Sequence, residues 1–174
     1  MEGIGYGILA VVALFAVSYL YLKVKEKAKK KIFFKEQYEM QKNLTGNLYV
    51  FDTAAPIETI KEALSKRIQT DDSFSANFFG GNYRITAQAA DSITYLHGAK
   101  ITTGGGGDEF SAKVFFMQIE NGLKVIAEII QWRVKDGVTR KAGIQAMQNF
   151  FNSVSLAVKD ADPNATLKII QKRG

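Results

Sequence analysis

Apolar and polar positions along this chain follow three different periods, and each predicts a different kind of element. From Ile4 to Leu22 the run IGYGILAVVALFAVSYLYL carries no charge for nineteen residues. Further on, Ile57, Ile60, Leu64 and Ile68 recur at spacings of three and four behind Pro56, an amphipathic helix of about four turns with proline in its first turn. A second stripe, Ile144, Met147, Phe151, Val154 and Val158, widened by Phe150 and Ala157, predicts a long helix from Thr139 to Lys159. Asp160 to Asn164, with Pro163 inside it, stops that helix.

Around these helices the pattern turns to strands. NLYVFD (47–52) precedes the first helix, and ATLKIIQ (165–171) follows the last. Between them, FSANFF, the turn GGN at 80–82 and YRITAQAA predict a hairpin, and DSITYLHG a further strand. Asn121-Gly122 separates EFSAKVFFMQIE from LKVIAEIIQWRV and suits a type I′ turn, whose central residues take positive φ. That turn would pair Glu120 with Leu123, Phe116 with Ala127 and Val114 with Ile129. Pairs such as Met117 with Ile126 then point to the other side. Both faces of this hairpin are therefore apolar. One covers the core; the other needs a partner protein, a bound apolar molecule or another element of the chain.

The uncharged run has the length of a membrane span, since about 20 apolar helical residues cross a hydrocarbon core of about 30 Å. Only Met1, Glu2 and Gly3 precede it, and lysine rather than a small-residue cleavage site follows, which argues against a secretory signal. Residues 23–31 hold Lys23, Lys25, Lys27, Lys29, Lys30 and Lys31 against Glu26 alone. Lysines beside a span stay in the cytoplasm, so the expected topology is a short extracytoplasmic N-terminus (1–3), a transmembrane helix (4–22) and a cytoplasmic remainder. The helix-favouring stretch 23–45 reads as a juxtamembrane stalk, in which Phe33, Gln37, Met40 and Leu44 share a loose heptad spacing. Gly3 and Gly7 form a GxxxG pair, a candidate helix-packing face.

Charge distribution removes one class of function. The net charge is +6, but from Asn47 onward fifteen Lys and Arg face thirteen Asp and Glu. The excess lies beside the span, where it matches anionic lipid headgroups and not nucleic acid.

Residues 46–174 are long enough for one α+β domain with its own core. The expected packing is an antiparallel sheet wrapped on the long C-terminal helix. VFDTAAPIETIKEAL, a strand entering a helix through Ala-Pro, and the apolar helix GIQAMQNFFNSVSLAV resemble the helix-grip domains of the START-like (SRPBCC) superfamily. That resemblance implies a lipid or other hydrophobic molecule held between sheet and helix. The chain departs from the pattern in having one helix after the first strand, where two short ones are usual, and in the strand predicted after the last helix.

Residues fitted for catalysis are sparse. Cysteine is absent, which excludes thiolate chemistry and Cys-based metal sites. His97, the one histidine, sits at a strand end beside Gly98 and reads as an exposed turn residue, with Asp91 and Glu109 as conceivable neighbours. Gly104 to Gly107 is followed by Asp108-Glu109 where a phosphate loop needs Lys-Ser or Lys-Thr. Asp160, Asp162 and Asn164 have calcium-loop spacing, but Pro163 interrupts it and Gln171 replaces the closing glutamate. No cofactor or metal is expected. Glu128 interrupts VIAEIIQW on the face that alternation assigns to Ile126, Ile130 and Trp132; on an external face it is an ordinary solvated strand residue, whereas a carboxylate covered there needs a partner. The candidate ligand or interface residues are Phe115, Met117, Ile126, Glu128, Ile130, Trp132 and Phe151.

The sequence thus points to a non-enzymatic, single-pass membrane-anchored domain that binds a hydrophobic ligand or a protein partner, a homo-oligomer included. An accessory subunit of a larger membrane complex is the alternative.

Overall fold

The computed structural model describes residues 17–25, 34–73, 82–98, 108–134 and 139–172. Residues 17–25 are helical, and Tyr19, Leu20, Tyr21 and Leu22 are exposed on them. Most of the expected span, with Gly3, Gly7, Lys27, Lys29, Lys30, Lys31 and Phe33, lies outside the described residues, as do FSANFF and the four-glycine loop. Among the described residues no helix is long and apolar enough to cross a membrane.

The folded part begins with helix α1 (Lys35–Gly46), which runs straight into strand β1 (Asn47–Thr53). Helix α2 (Ile57–Arg67) follows, then β2 (Tyr83–Ala89), β3 (Ser92–His97), β4 (Phe110–Ile119) and β5 (Gly122–Trp132). The long helix α3 (Lys141–Ala161) and the terminal strand β6 (Thr166–Gln171) complete it. All six strands form one antiparallel sheet in the order β2-β3-β4-β5-β1-β6. The chain is thus an α+β domain built on an antiparallel sheet and a C-terminal helix. YRITAQAA pairs with DSITYLHG, through a turn at Ala90-Asp91.

Helix α3 covers the sheet through the stripe read from the sequence. Met147, Phe150, Val154, Ala157 and Val158 are fully buried against Ala112, Val114, Val125, Ala127 and Ile129, the alternate residues of β4 and β5. Phe150 is central: its ring meets Tyr83, Tyr95, Phe110 and Phe151 at centroid distances of 5.6 to 6.4 Å. Tyr49 stacks on Phe151 at 3.9 Å. The side chains between sheet and helix form one buried core cluster. Burial pushes the Tyr83 and Tyr95 hydroxyls up to about 12. Tyr83 keeps its hydroxyl satisfied by donating to the Ala146 carbonyl at 2.9 Å.

Helix α1 belongs to this packing, although its helix-favouring, lysine-flanked sequence reads as a stalk. Leu44 is buried in the core and Met40 packs on it. The buried Gln41 accepts the Thr139 N–H at 2.6 Å just before α3 begins. The far end of α3 is tied to the β1–α2 junction by Asp162, which accepts the Thr53 hydroxyl at 2.7 Å and the Ala54 and Asn164 amides at 2.9 Å. Arg67 on α2 holds Asp160 through two bonds, of 2.6 and 2.9 Å. The acidic residues with calcium-loop spacing therefore close the helix end.

The β4–β5 register differs from the expected one. Phe116 pairs with Val125, Val114 with Ala127 and Phe115 with Ile126, and the two-residue turn is Glu120-Asn121. Gly122 opens β5 instead of completing the turn. It has φ +145°, and a Cβ there would lie 2.4 Å from the Thr53 carbonyl oxygen of the neighbouring strand. Glycine is needed for that close approach. The shift is two residues, so the side chains from Ala112 to Ile129 keep their expected faces.

Met147 and Met117 offer a contrast of one residue type on two faces. Met147→Ala, in the filled interior, is expected to cost about 2–5 kcal/mol of unfolding free energy, and exposed Met117→Ala at most about 0.5 kcal/mol, in urea titration. Equal costs would contradict the assignment of faces. A second expectation concerns pH. The Thr53 hydroxyl, followed by the Ala54 and Asn164 amides, holds the Asp162 carboxyl below its usual range. Its stabilisation is present above the unfolded carboxyl pKa of about 4 and is lost as pH falls through the lower folded value. Asp162→Asn should therefore lower the thermal midpoint at pH 7, with the gap to the parent closing below about pH 4.

Candidate functional site

Cross-strand rows on the sheet face away from α3 gather most of the predicted residues. One row runs Lys168, Val50, Ile126, Phe115 and Ser92 across β6, β1, β5, β4 and β3. The adjacent rows set Asp52 beside Lys124 and Met117, and Glu128 beside Lys113 and Thr94. Leu48, Phe115, Met117, Ile126, Glu128 and Lys172 line a groove of about 490 Å³, open to solvent. Phe115 and Ile126 are half-buried on its floor, and Met117 is 53% exposed.

Charged pairs border this apolar strip. Glu128 meets Lys172 at 2.8 Å, and the same ammonium donates to the Ile129 carbonyl at 2.7 Å. The carboxylate that interrupts VIAEIIQW thus lies on the open face, half-buried and paired with a cation. At the other end Asp52 meets Lys168 at 2.9 Å and Lys124 at 3.8 Å, and the Lys168 hydrogen bond holds the Asp52 carboxyl below its usual range. Lys113 lies 4.3 Å above the Phe115 ring, a cation–π contact.

The remaining predicted residues lie elsewhere. Phe151 is buried on the opposite side of the sheet, under α3, with its ring on Tyr49. A β-bulge separates Trp132 from the groove. Ser111 pairs with Gln131 but Ala112 with Ile129, so Ile130 has no residue opposite and the alternation reverses beyond it. Trp132 pairs with inward-facing Phe110 and lines a smaller concavity with Leu96, Ser111 and Gln131. Ile130 stays exposed at the kink. Simple period-two counting cannot reveal such a bulge.

Lys172 and Leu48 join the groove without having been singled out. Both come from β1 and the segment after β6, far from Glu128 in sequence. The signal for Lys172 is indirect: a covered carboxylate demands a cation, but long-range strand order decides which one.

His97 is buried, not exposed as the sequence implied. Its ring stacks on Phe110 at 5.1 Å and tilts against Tyr83, placing it at the aromatic edge of the core. Glu109 approaches Gly98 and pairs with Arg133 at 3.7 Å. Among the described residues no group of three His, Cys, Asp or Glu is placed to hold a metal ion. A second concavity of about 350 Å³ lies between α1 and α3, lined by Phe34, Gln37, Met40, Ile144, Gln145 and Gln148. This is where the loose heptad of α1 meets the long helix.

Comparison with known proteins returns no matching family model and no matching curated protein.

An exposed thioether over an apolar floor attracts solvatochromic dyes. Met117→Lys should reduce the fluorescence of a bound naphthalene sulfonate dye at least about twofold while leaving the urea midpoint within about 0.5 kcal/mol of the parent. Unchanged dye binding would place the exposed apolar surface elsewhere.

Proposed function

We propose that this chain is a non-enzymatic, single-pass membrane protein whose cytoplasmic domain binds a protein partner through the outer face of its sheet. The observation that carries this reading is the contrast between the two faces. The inner face is filled by α3 and the Phe150 aromatic cluster. The outer face keeps Phe115, Met117 and Ile126 in an open groove, with the Glu128–Lys172 pair as a polar border. A shallow apolar groove with a charged rim suits a protein segment better than an enclosed lipid tail.

The anchor part of the reading rests on the uncharged run from Ile4 to Leu22 and the six lysines after it. Residues 17–25 are helical, as a span entering the cytoplasm requires. Lys23 lies 5.2 Å from the Tyr19 ring and Lys25 5.8 Å from the Tyr21 ring. Tyrosine and lysine together mark a bilayer interface. The START-like resemblance agrees with a sheet covered by a C-terminal helix.

The second reading, an accessory subunit of a larger membrane complex, uses the same groove and differs only in what occupies it. A photo-cross-linking residue at Met117, with one at Gln88 on β2 as control, decides between them in intact membranes. A defined neighbour captured from position 117 and not from 88 is expected. An integral membrane neighbour selects the accessory-subunit reading, and capture of nothing at 117 contradicts both. A reporter fused after Gly174 should stay cytoplasmic, and its export would overturn the topology.

A further inference from the structure

The two edges of the sheet are not alike. Edge strand β2 carries a register irregularity between Ile85 and Ala87, a device that blunts an edge against further pairing. Edge strand β6 is regular: its six residues pair with β1 in unbroken sequence from Thr166 to Gln171. It also exposes apolar side chains on both faces, Leu167 and Ile169 on one and Ile170 on the other, at 43%, 55% and 48%. Its one lysine, Lys168, is engaged with Asp52 on the neighbouring strand.

The backbone of β6 shows which groups point outward. Lys172 donates its N–H to the Gly46 carbonyl at 2.8 Å, in register with the β1–β6 ladder. Hydrogen-bonded pairs alternate along an antiparallel ladder, so Thr166, Lys168 and Ile170 also direct their N–H and C=O groups at β1. Leu167, Ile169 and Gln171 direct theirs away from the sheet. A row of outward amides and carbonyls at every second residue is the template for one more strand.

We propose that β6 pairs antiparallel with β6 of a second copy of this chain, with Ile169 on the two-fold axis. Ile169 then faces Ile169 of the second copy, and Leu167 faces its Gln171, all of them outward-directed residues. On the other face Lys168 meets Ile170. Registers centred on Lys168 or Ile170 would set Lys168 against Lys168 or Lys172 of the second copy, a like-charge contact. One centred on Leu167 leaves Ile170 and Gln171 overhanging. The charge pattern therefore selects the Ile169-centred register.

Symmetry favours this partner. An antiparallel strand pair within one sheet has its two-fold axis normal to the sheet, so both α1–α3 layers lie on the same side. Both chains then lead from α1 toward the same membrane. A six-residue strand pair buries less surface than stable dimers need, and confinement to a membrane compensates by raising the effective concentration. The pairing goes beyond the groove reading and shares with it only the anchor.

Cysteine is absent from the chain, so a single introduced thiol reports the contact. Opposed hydrogen-bonded residues have Cα atoms about 5.5 Å apart, within disulfide reach. Full-length Ile169→Cys in native membranes, mildly oxidised, should give a dimer as the dominant species. Lys168→Cys and Gln88→Cys should give at least about tenfold less, since cysteines more than about 7 Å apart cannot bridge. Equal cross-linking at all three positions, or none at 169, overturns the proposal. Ile169→Pro removes only an outward N–H and is tolerated at an edge. It should abolish the dimer seen by native mass spectrometry in lipid nanodiscs while keeping the parent's unfolding midpoint; a dimer that survives also overturns the proposal. Recovery of the protein in the soluble fraction would refute the anchor instead, and the same cross-linking on concentrated protein would still test the strand pair.

Discussion

Everything in this domain depends on the contact between α3 and the inner face of the sheet. Phe150 lies among Tyr83, Tyr95, Phe110 and Phe151, and the small residues Ala112 and Ala127 let the helix approach the central strands. Burial there is complete on both sides, so one face of the sheet is spent on the core. The other face inherits the surplus of apolar residues on β4 and β5. A sheet that is apolar on both sides but covered by helices on one leaves an apolar groove open on the other.

The same contact organises the polar features. Gln41 and Asp162 each secure one end of α3, the first from α1 and the second from beside β1 and α2. Helix α1 is therefore a clamp on the core. Lys172 follows β6, and β6 is set by its pairing with β1. The groove's ion pair thus depends on a strand that begins just after the long helix ends. Groove and edge strand are neighbours because β1 carries both, through Val50 and Leu48 on one face and its ladder to β6.

Much of the fold was legible in the sequence because its periods are clean. The stripe Ile57, Ile60, Leu64 and Ile68 and that of Ile144 to Val158 are buried as spaced. Phe115, Met117, Ile126 and Glu128 do share a face. Failures arose where a tertiary contact overrides a local rule. Gly122 serves the approach of Thr53 rather than the turn, which shifts the hairpin by two residues. The bulge at Ile130 reverses the alternation and carries Trp132 off the groove. Helix α1 reads as a polar stalk because only Leu44, Gln41 and Thr45 are buried on it. His97 looked like a turn residue, since the strand pairing that buries it against Phe110 is long-range.

The central claim is that the inner face is closed and the outer face is occupied in the cell. Thiol accessibility tests both halves in one experiment, because the chain has no cysteine of its own. Met117→Cys and Ala157→Cys in open native membranes are labelled with a polar maleimide before and after a urea wash too mild to unfold the domain. Met117→Cys should be protected before the wash and labelled after it, with Ala157→Cys inert throughout. Equal labelling of Met117→Cys in both states, or ready labelling of Ala157→Cys, would contradict the account.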